Sequence, residues 1–294
     1  MIETKILDGK KLSFIFEKKI LKITNLLPKK PKLTIFLTTD NFSSRKYVDI
    51  KIKKAKHLNF LVELIYLPEC KNELFFKLLD EKNNDPNIDG ILVQFPTNNL
   101  DEKEILSKIS SKKDVDSITP ANIGLIFQDN YDLLNPVVSA VNSLISFYKI
   151  SLKGKYCVLI GSSNIVGKPL ISWLVNQKVT LTVCNEFTNN LENILKAADI
   201  IITAVGKPNF IGENLVKNNC IIIDIGINKL NNCLVGDVHA DEKLWNKVSY
   251  LTPVPGGIGP LTVIFLFYNL LFLYLKNYNL LDKYQKFLDE FKNI

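Results

Sequence analysis

Short β-branched apolar runs separated by amphipathic stretches constrain this chain more than any other feature. Leu33–Thr38, Leu61–Leu67 and Gly90–Phe95 read as strands, and a second series follows at Tyr156–Ile160, Val179–Cys184, Ile200–Val205 and Cys220–Ile225. Strands joined by helix-length segments form parallel sheets, whose strands are buried on both faces and are therefore apolar nearly throughout. The two series are parted by Asn135–Pro136 and a helical pattern around Val141–Tyr148, which puts a linker near residues 120–150. The expectation is an α/β protein of two domains. Residues 1–140 form the first, and residues 141–264 form a doubly wound parallel sheet. The last helices, Leu261–Tyr274 and Asp282–Phe291, pack back on the first domain, so that residues 265–294 complete it.

Composition narrows the setting. Of 294 residues, 47% are hydrophobic and 23% charged, which supports a sizeable core and argues against disorder. The net charge of +7 is spread over lysines along the whole chain, with arginine only at Arg45. Nucleic-acid readers cluster arginine, so no nucleic-acid partner is expected. The apolar run Val263–Leu275 contains Asn269 and is shorter than the roughly 20 residues of a membrane span. It reads as a buried helix, and no membrane partner is expected. The N-terminal MIETKILDGKK lacks the apolar core of an export signal, so the expected location is cytoplasmic. Cys70, Cys157, Cys184, Cys220 and Cys233 lack metal-ligand spacing and read as small buried apolar residues rather than disulfides or a metal site.

Directly after Tyr156–Ile160 comes Gly161-Ser162-Ser163-Asn164-Ile165-Val166-Gly167-Lys168-Pro169, then a helical pattern. Strand, glycine turn and helix make up the dinucleotide-binding context of a Rossmann-type domain. Gly161 permits the tight turn, Gly167 permits close packing, and amides at the helix start can face a pyrophosphate. Ser163 stands where the commoner fingerprint has glycine. Glu186, at the end of the next strand, can accept hydrogen bonds from ribose hydroxyls, a geometry that favours NAD over NADP.

In the first domain, Ser44–Asn59 has helical periodicity, with Val48, Ile52, Ala55 and Leu58 as its apolar stripe. Lys51 falls at the edge of that stripe, and Tyr47, four residues earlier, shares its face. A lysine held against apolar groups loses its proton more readily and becomes a usable acid or base. A snorkelling surface lysine is the bland alternative.

Several runs together carry a specific resemblance. They are Ser44-x-x-Tyr47-Val48-x-x-Lys51, Asp89–Gln94, Lys113–Asp116, Gly161–Pro169, Ala204–Pro208, Asp224–Asn228, Val235–Val238 and Thr252–Thr262. In this order they resemble the bifunctional methylenetetrahydrofolate dehydrogenase/cyclohydrolase family, over nearly the whole chain. The resemblance implies a homodimer of two-domain subunits acting on tetrahydrofolate derivatives, with an N-terminal α/β catalytic domain and a folate in the interdomain cleft. The implied chemistry is oxidation of 5,10-methylenetetrahydrofolate by a nicotinamide cofactor, then hydrolysis of the methenyl product to 10-formyltetrahydrofolate. Carried over by motif, Lys51 is the cyclohydrolase acid/base, Gln94 bonds and tunes it, Tyr47 stacks on the folate ring, and Asp116 holds the pterin amino edge. Pro255, Gly256 and Gly257 shape the folate cleft. Gly161, Ser162, Ser163, Ile165, Gly167, Glu186 and Ile227 line the cofactor site. Cys233–Val238 is the candidate edge strand for dimer pairing.

The chain also departs from that family. Its usual Pro-Cys-Thr-Pro-x-Gly run is here Pro136-Val137-Val138-Ser139-Ala140-Val141, Ser117 replaces a glycine, and Leu125 replaces a basic residue. Asn185 and Glu186 stand where family members often place histidine followed by serine or a basic residue. A carboxylate there repels the 2′-phosphate of NADP, although Lys168 can compensate. NADP is the family default and NAD the alternative. A homologue that kept the fold but lost one activity, or serves as a scaffold, and a dehydrogenase acting on another small substrate, are the competing readings.

Overall fold

The computed structural model describes residues 4–69, 71–231 and 233–292. The chain begins with β1 (Lys5–Ile6), α1 (Gly9–Thr24), β2 (Lys32–Leu37), α2 (Phe42–His57), β3 (Leu61–Tyr66), α3 (Asn72–Asn84) and β4 (Gly90–Gln94). It continues through α4 (Glu102–Lys108), α5 (Pro120–Phe127), α6 (Pro136–Phe147), β5 (Tyr156–Ile160), α7 (Gly167–Leu174), β6 (Thr180–Cys184), α8 (Leu191–Ala197) and β7 (Ile200–Thr203). The rest comprises β8 (Ile221–Asp224), β9 (Asn228–Leu230), β10 (Cys233–Val235), α9 (Glu242–Trp245), β11 (Tyr250–Leu251), α10 (Ile258–Asn277) and α11 (Gln285–Lys292). These elements group into two compact units. One takes the segment ending at Ser13, Gly124–Tyr131 and Val137–Thr262. The other takes Phe14–Ile123, Asp132–Pro136 and the chain from Val263 onward.

The first unit is built on a six-stranded sheet in the order β1-β11-β8-β7-β5-β6, parallel throughout. The chain steps outward from β5 to β6, then returns past β5 to β7 and β8. Right-handed crossovers therefore place α7 and α8 on opposite faces, which is the double winding expected from the sequence. Val158, Ile160, Ile201 and Ile222 pack with Leu195 and Ala198 in one core. The strand at Val179–Cys184, read as buried on both faces, is the edge strand β6, and Cys184 is its only buried residue because neighbouring structure covers an edge from one side only.

Two sequence expectations are corrected in this unit. Thr4–Ser13, assigned to the first domain, belong here because Lys5–Ile6 pairs with Tyr250–Leu251, two-residue strands too short to show periodicity. Cys233–Val238 is no edge of the large sheet. Its strand part, β10, pairs antiparallel with β9 in a separate hairpin whose tip needs no core, so Cys233 is exposed whereas Cys157, Cys184 and Cys220 are buried. Cys70 lies outside the described residues.

The second unit carries a three-stranded parallel sheet, β3-β2-β4, with Leu37 opposite both Gln94 and Tyr66. One face packs Phe36, Ile91 and Val93 against Phe75, Leu79 and Ile105. The final helices pack here as the sequence implied. Phe265 meets Phe16 edge-on at 4.9 Å, Phe267 stacks on Phe60 at 5.2 Å, and Phe291 of α11 stacks on Tyr268 at 4.3 Å. At 20 residues α10 is longer than its apolar run suggested and is long and apolar enough to cross a membrane by length and composition. Its most apolar window is nevertheless 83% buried inside the protein, as a core helix requires.

Several asparagines in turns have a specific backbone use. Asn99, Asn190, Asn219 and Asn231 all adopt positive φ, the left-handed conformation that asparagine tolerates better than other non-glycine residues.

Candidate functional site

Two sites emerge, one in each unit. In the second unit, α2 starts two residues before the predicted Ser44 because Asn41 caps it, its side-chain oxygen accepting from the amides of Ser43 and Ser44 at 2.9 and 3.3 Å. Val48, Ala55 and Leu58 are buried, and this stripe fixes the rotation of the helix. Tyr47 and Lys51 consequently share the half-buried edge. Lys51 Nζ donates to Gln94 Oε1 at 2.9 Å, across from the C-terminal end of β4. Gln94 Nε2 donates in turn to the carbonyl of Phe95 at 2.8 Å, so the amide presents its oxygen to the lysine and not its NH2.

Burial pushes the Lys51 ammonium below the usual lysine range, opposed by the carboxylate of Asp116. Asp116 is itself pushed up to about 6 by burial, with Lys51 pulling it down and Asp114 adding to the rise. Burial also raises the Tyr47 phenol. The site thus holds a lysine biased toward its neutral amine and a carboxyl that stays protonated to unusually high pH, both perturbed first by loss of water.

Sequence reasoning missed the groups that hold Asp116 in place. Asp114 is buried and accepts from the amides of Ile118 and Thr119 and from Asn122 Nδ2, all at 2.8–2.9 Å. Asn135 Nδ2 donates to the Asp116 carbonyl at 2.8 Å, and Asn269 Nδ2 donates to the carbonyls of Val115 and Leu134 at 2.8 and 2.9 Å. Asn269, read as a blemish in an apolar run, is the polar pin of α10. Ser117, in place of a glycine, adopts φ of 49° and accepts the strained backbone that the turn needs.

In the first unit, Gly161 leaves β5 with φ of 113°, and a β-carbon there would lie 2.5 Å from the Ala204 carbonyl oxygen. A β-carbon on Gly167 would lie 2.4 Å from the Gly161 carbonyl oxygen, so both glycines are sterically required. Between them Ser162, Asn164 and Ile165 are half-buried and Ser163 is exposed. The amides of Val166 and Gly167 contact Ser163 Oγ at 3.3 and 3.4 Å, long bonds that a phosphate oxygen can replace. Glu186 is exposed in the turn after β6, and Ile227 is exposed beyond β8. Because the strands are parallel, Gly161, Glu186 and Ile227 all sit at their C-terminal ends, around the point where strand order reverses, the place such sheets bind nucleotides. Lys168 donates to Asn164 Oδ1 within the same loop.

Pro255, Gly256 and Gly257 also belong to this unit. Their turn closes through the Gly257 amide to the Pro253 carbonyl at 2.7 Å and is fastened to the start of α1 by the Lys10 amide, 2.8 Å from the Gly256 carbonyl. The departing run Pro136–Val141 forms the first turns of α6, with Val138, Ala140 and Val141 fully buried. Losing its second proline and its glycine suits it to that helix.

Comparison with known proteins places these features in a family. Residues 7–116 match the model for the tetrahydrofolate dehydrogenase/cyclohydrolase catalytic domain, and residues 136–278 match its NAD(P)-binding domain. The bifunctional protein FolD of Lactobacillus acidophilus is 39% identical over 267 residues, covering 89% of this chain and 94% of that protein. The bifunctional FolD of Campylobacter jejuni superimposes with a TM-score of 0.88 at 34% identity, covering 93% of this chain and 99% of that one. The Trypanosoma brucei enzyme, solved with NADP and an inhibitor, gives a TM-score of 0.88 at 28% identity over 94% of this chain and 99% of its own. With both domain models matched in order, the chain belongs to the tetrahydrofolate dehydrogenase/cyclohydrolase family.

Proposed function

We infer that this chain oxidises 5,10-methylenetetrahydrofolate with a nicotinamide cofactor and hydrolyses the methenyl product to 10-formyltetrahydrofolate. The observation that carries the reading is the Lys51–Gln94 hydrogen bond beside Asp116, a lysine held and desolvated where the family motif requires one. In the hydrolytic step Lys51 takes a proton from the water that attacks the amidinium carbon and returns one to the departing nitrogen. Gln94 keeps the lysine's nitrogen pointed at that carbon. The carboxylate of Asp116 faces the two adjacent donors of the pterin amino edge, and Tyr47 covers the ring face. The family's folate-cleft role falls to Pro255, Gly256 and Gly257.

The glycine cradle fits a dinucleotide, since a β-carbon at Gly161 or Gly167 would clash with backbone and close the turn. Gly161, Ser162, Ser163, Ile165 and Gly167 would hold the pyrophosphate side, Glu186 the adenosine ribose and Ile227 the opposite half. When bound, the nicotinamide supplies a hydride acceptor. NADP remains the family default. Glu186, with Lys168 engaged by Asn164, favours NAD. The same reading makes the protein a cytoplasmic homodimer with neither nucleic-acid nor membrane partner.

The test is absorbance-monitored oxidation of 5,10-methylenetetrahydrofolate by purified protein, in parallel with NADP and NAD, followed by decay of the methenyl band. Turnover with one nucleotide and loss of the band are expected. Failure of both steps would sink the reading.

A further inference from the structure

Three runs shared with the family, Ala204–Pro208, Asp224–Asn228 and Val235–Val238, converge on a carboxylate that the reaction above does not use. Asp237 is completely buried. Its Oδ2 accepts from Thr203 Oγ1 at 3.0 Å, the Val205 amide at 2.8 Å and the Gly206 amide at 3.4 Å. Its Oδ1 accepts from the Lys207 amide at 3.0 Å and from Asn228 Nδ2 at 2.9 Å. One side chain thus ties the loop leaving β7 to the loop leaving β8.

A second buried carboxylate holds the first. Asp224 accepts from the amides of Gly226, Asp237 and Val238 at 2.8, 3.1 and 2.9 Å. The neighbouring glycines make room for the pair. A β-carbon on Gly226 would lie 2.2 Å from Asp237 Cγ, and one on Gly236 would lie 1.9 Å from Asp224 Oδ2.

Strand order says what these loops serve. With β5 supplying the pyrophosphate turn and β6 the adenosine side, the ends of β7 and β8 lie across the switch point, where the rest of a dinucleotide must go. We propose that Asp237 is a positioning residue for the nicotinamide half of the cofactor site, fixing the backbone of residues 204–207 and the Ile227–Asn228 segment in one register. An acceptor-only carboxylate suits this task, because five donors converge on it and an amide would turn its own NH2 against some of them. The proposal rests on the function inferred above.

The test uses Asp237→Asn in the full chain. KM for the preferred dinucleotide should rise about tenfold to a hundredfold, the scale of a misplaced binding group. Affinity for its adenosine fragment, ADP or 2′,5′-ADP by calorimetry, should stay unchanged. Hydrolysis of supplied methenyltetrahydrofolate, which needs no nucleotide, should also stay unchanged and serves as the folding control. Equal weakening of fragment and dinucleotide, or a parallel fall in hydrolysis, would reduce Asp237 to a structural role and overturn the proposal. Should Asp237→Asn fail to fold, Asn228→Ala removes a single loop donor and should raise the dinucleotide KM severalfold, whereas Thr203→Val, which removes a strand donor, should not. Identical KM values for Asn228→Ala and the wild type would overturn it too. Failure of the wild-type protein to bind either dinucleotide would instead sink the functional reading itself.

Discussion

The two sites are built from different materials. Around Lys51 the working parts are side chains whose properties depend on dryness: a lysine pushed down, a carboxyl pushed up to about 6, and an amide turned to face the lysine. Around Gly161 the working parts are backbone, held by glycines that admit no β-carbon and by buried carboxylates that anchor loops. A side-chain device fails when one residue changes chemistry. A backbone device tolerates substitution of its lining residues and fails when its shape changes, which explains how Ser163 can depart from the commoner fingerprint, and Glu186 from the family's usual residues, on an intact cradle.

The sharpest way to break this contrast is Lys51→Ala. Hydrolysis of the methenyl form should fall by roughly a hundredfold to ten-thousandfold, the range of a lost general acid/base, while dinucleotide binding measured by fluorescence titration is unchanged. Loss of both would show that the two sites are not separable. Gly161→Ala is the converse. With φ of 113° and a backbone oxygen 2.5 Å from the new carbon, it should cost about 1–3 kcal/mol in urea unfolding and abolish dinucleotide binding while hydrolysis persists.

The pH dependence should separate the sites as well. On the proposed reading Asp116 binds the pterin edge as a carboxylate, so kcat/KM for the folate should fall as pH drops below about 6, approaching tenfold per unit. The stability effect has the opposite sign. A carboxyl raised from 3.8 to about 6 holds its proton longer when folded, so its contribution is lost as pH rises through that window and is constant above it. A pH-independent folate kcat/KM across pH 5–7 would remove Asp116 from substrate binding. The smallest expected effect is at Glu186→Ser. Removing this exposed charge from the proposed adenosine-ribose side should raise the NADP-to-NAD ratio of kcat/KM values by about fivefold, on the scale of a surface ion pair. An unchanged ratio would free cofactor choice from this residue.

Much of this was legible in the sequence, for reasons of spacing. The i, i+4 relation of Tyr47 and Lys51 and the glycine turn after β5 are local patterns, and local patterns survive in one dimension, whereas Gln94 entered as Lys51's partner only through the family resemblance. What stayed hidden depends on distant segments. Asp237 gathers donors from Thr203, from residues 205–207 and from Asn228, and no periodicity announces that meeting. Asn269 lies 154 residues from the carbonyl of Val115 that it braces. Its one visible signal was a lone amide in an apolar helix, and Asp237 showed only as part of the family run Val235–Val238, with no sign of its role. The exposure of Cys233 and the pairing of Lys5–Ile6 were equally unreadable, because a hairpin of three-residue strands and a two-residue strand leave no pattern.

The pairing of Lys5–Ile6 with Tyr250–Leu251 and the pinning of Val115 by Asn269 also dictate a schedule of assembly. A ribosome delivers Lys51, Gln94 and Asp116 well before α10, the helix that fixes the loop beside Asp116. Lys5–Ile6 likewise waits at the rim of its sheet for Tyr250–Leu251, a partner made much later. A nascent chain halted at residue 262 would therefore carry Lys51, Gln94 and Asp116 and none of the α10 amide that braces the loop beside Asp116.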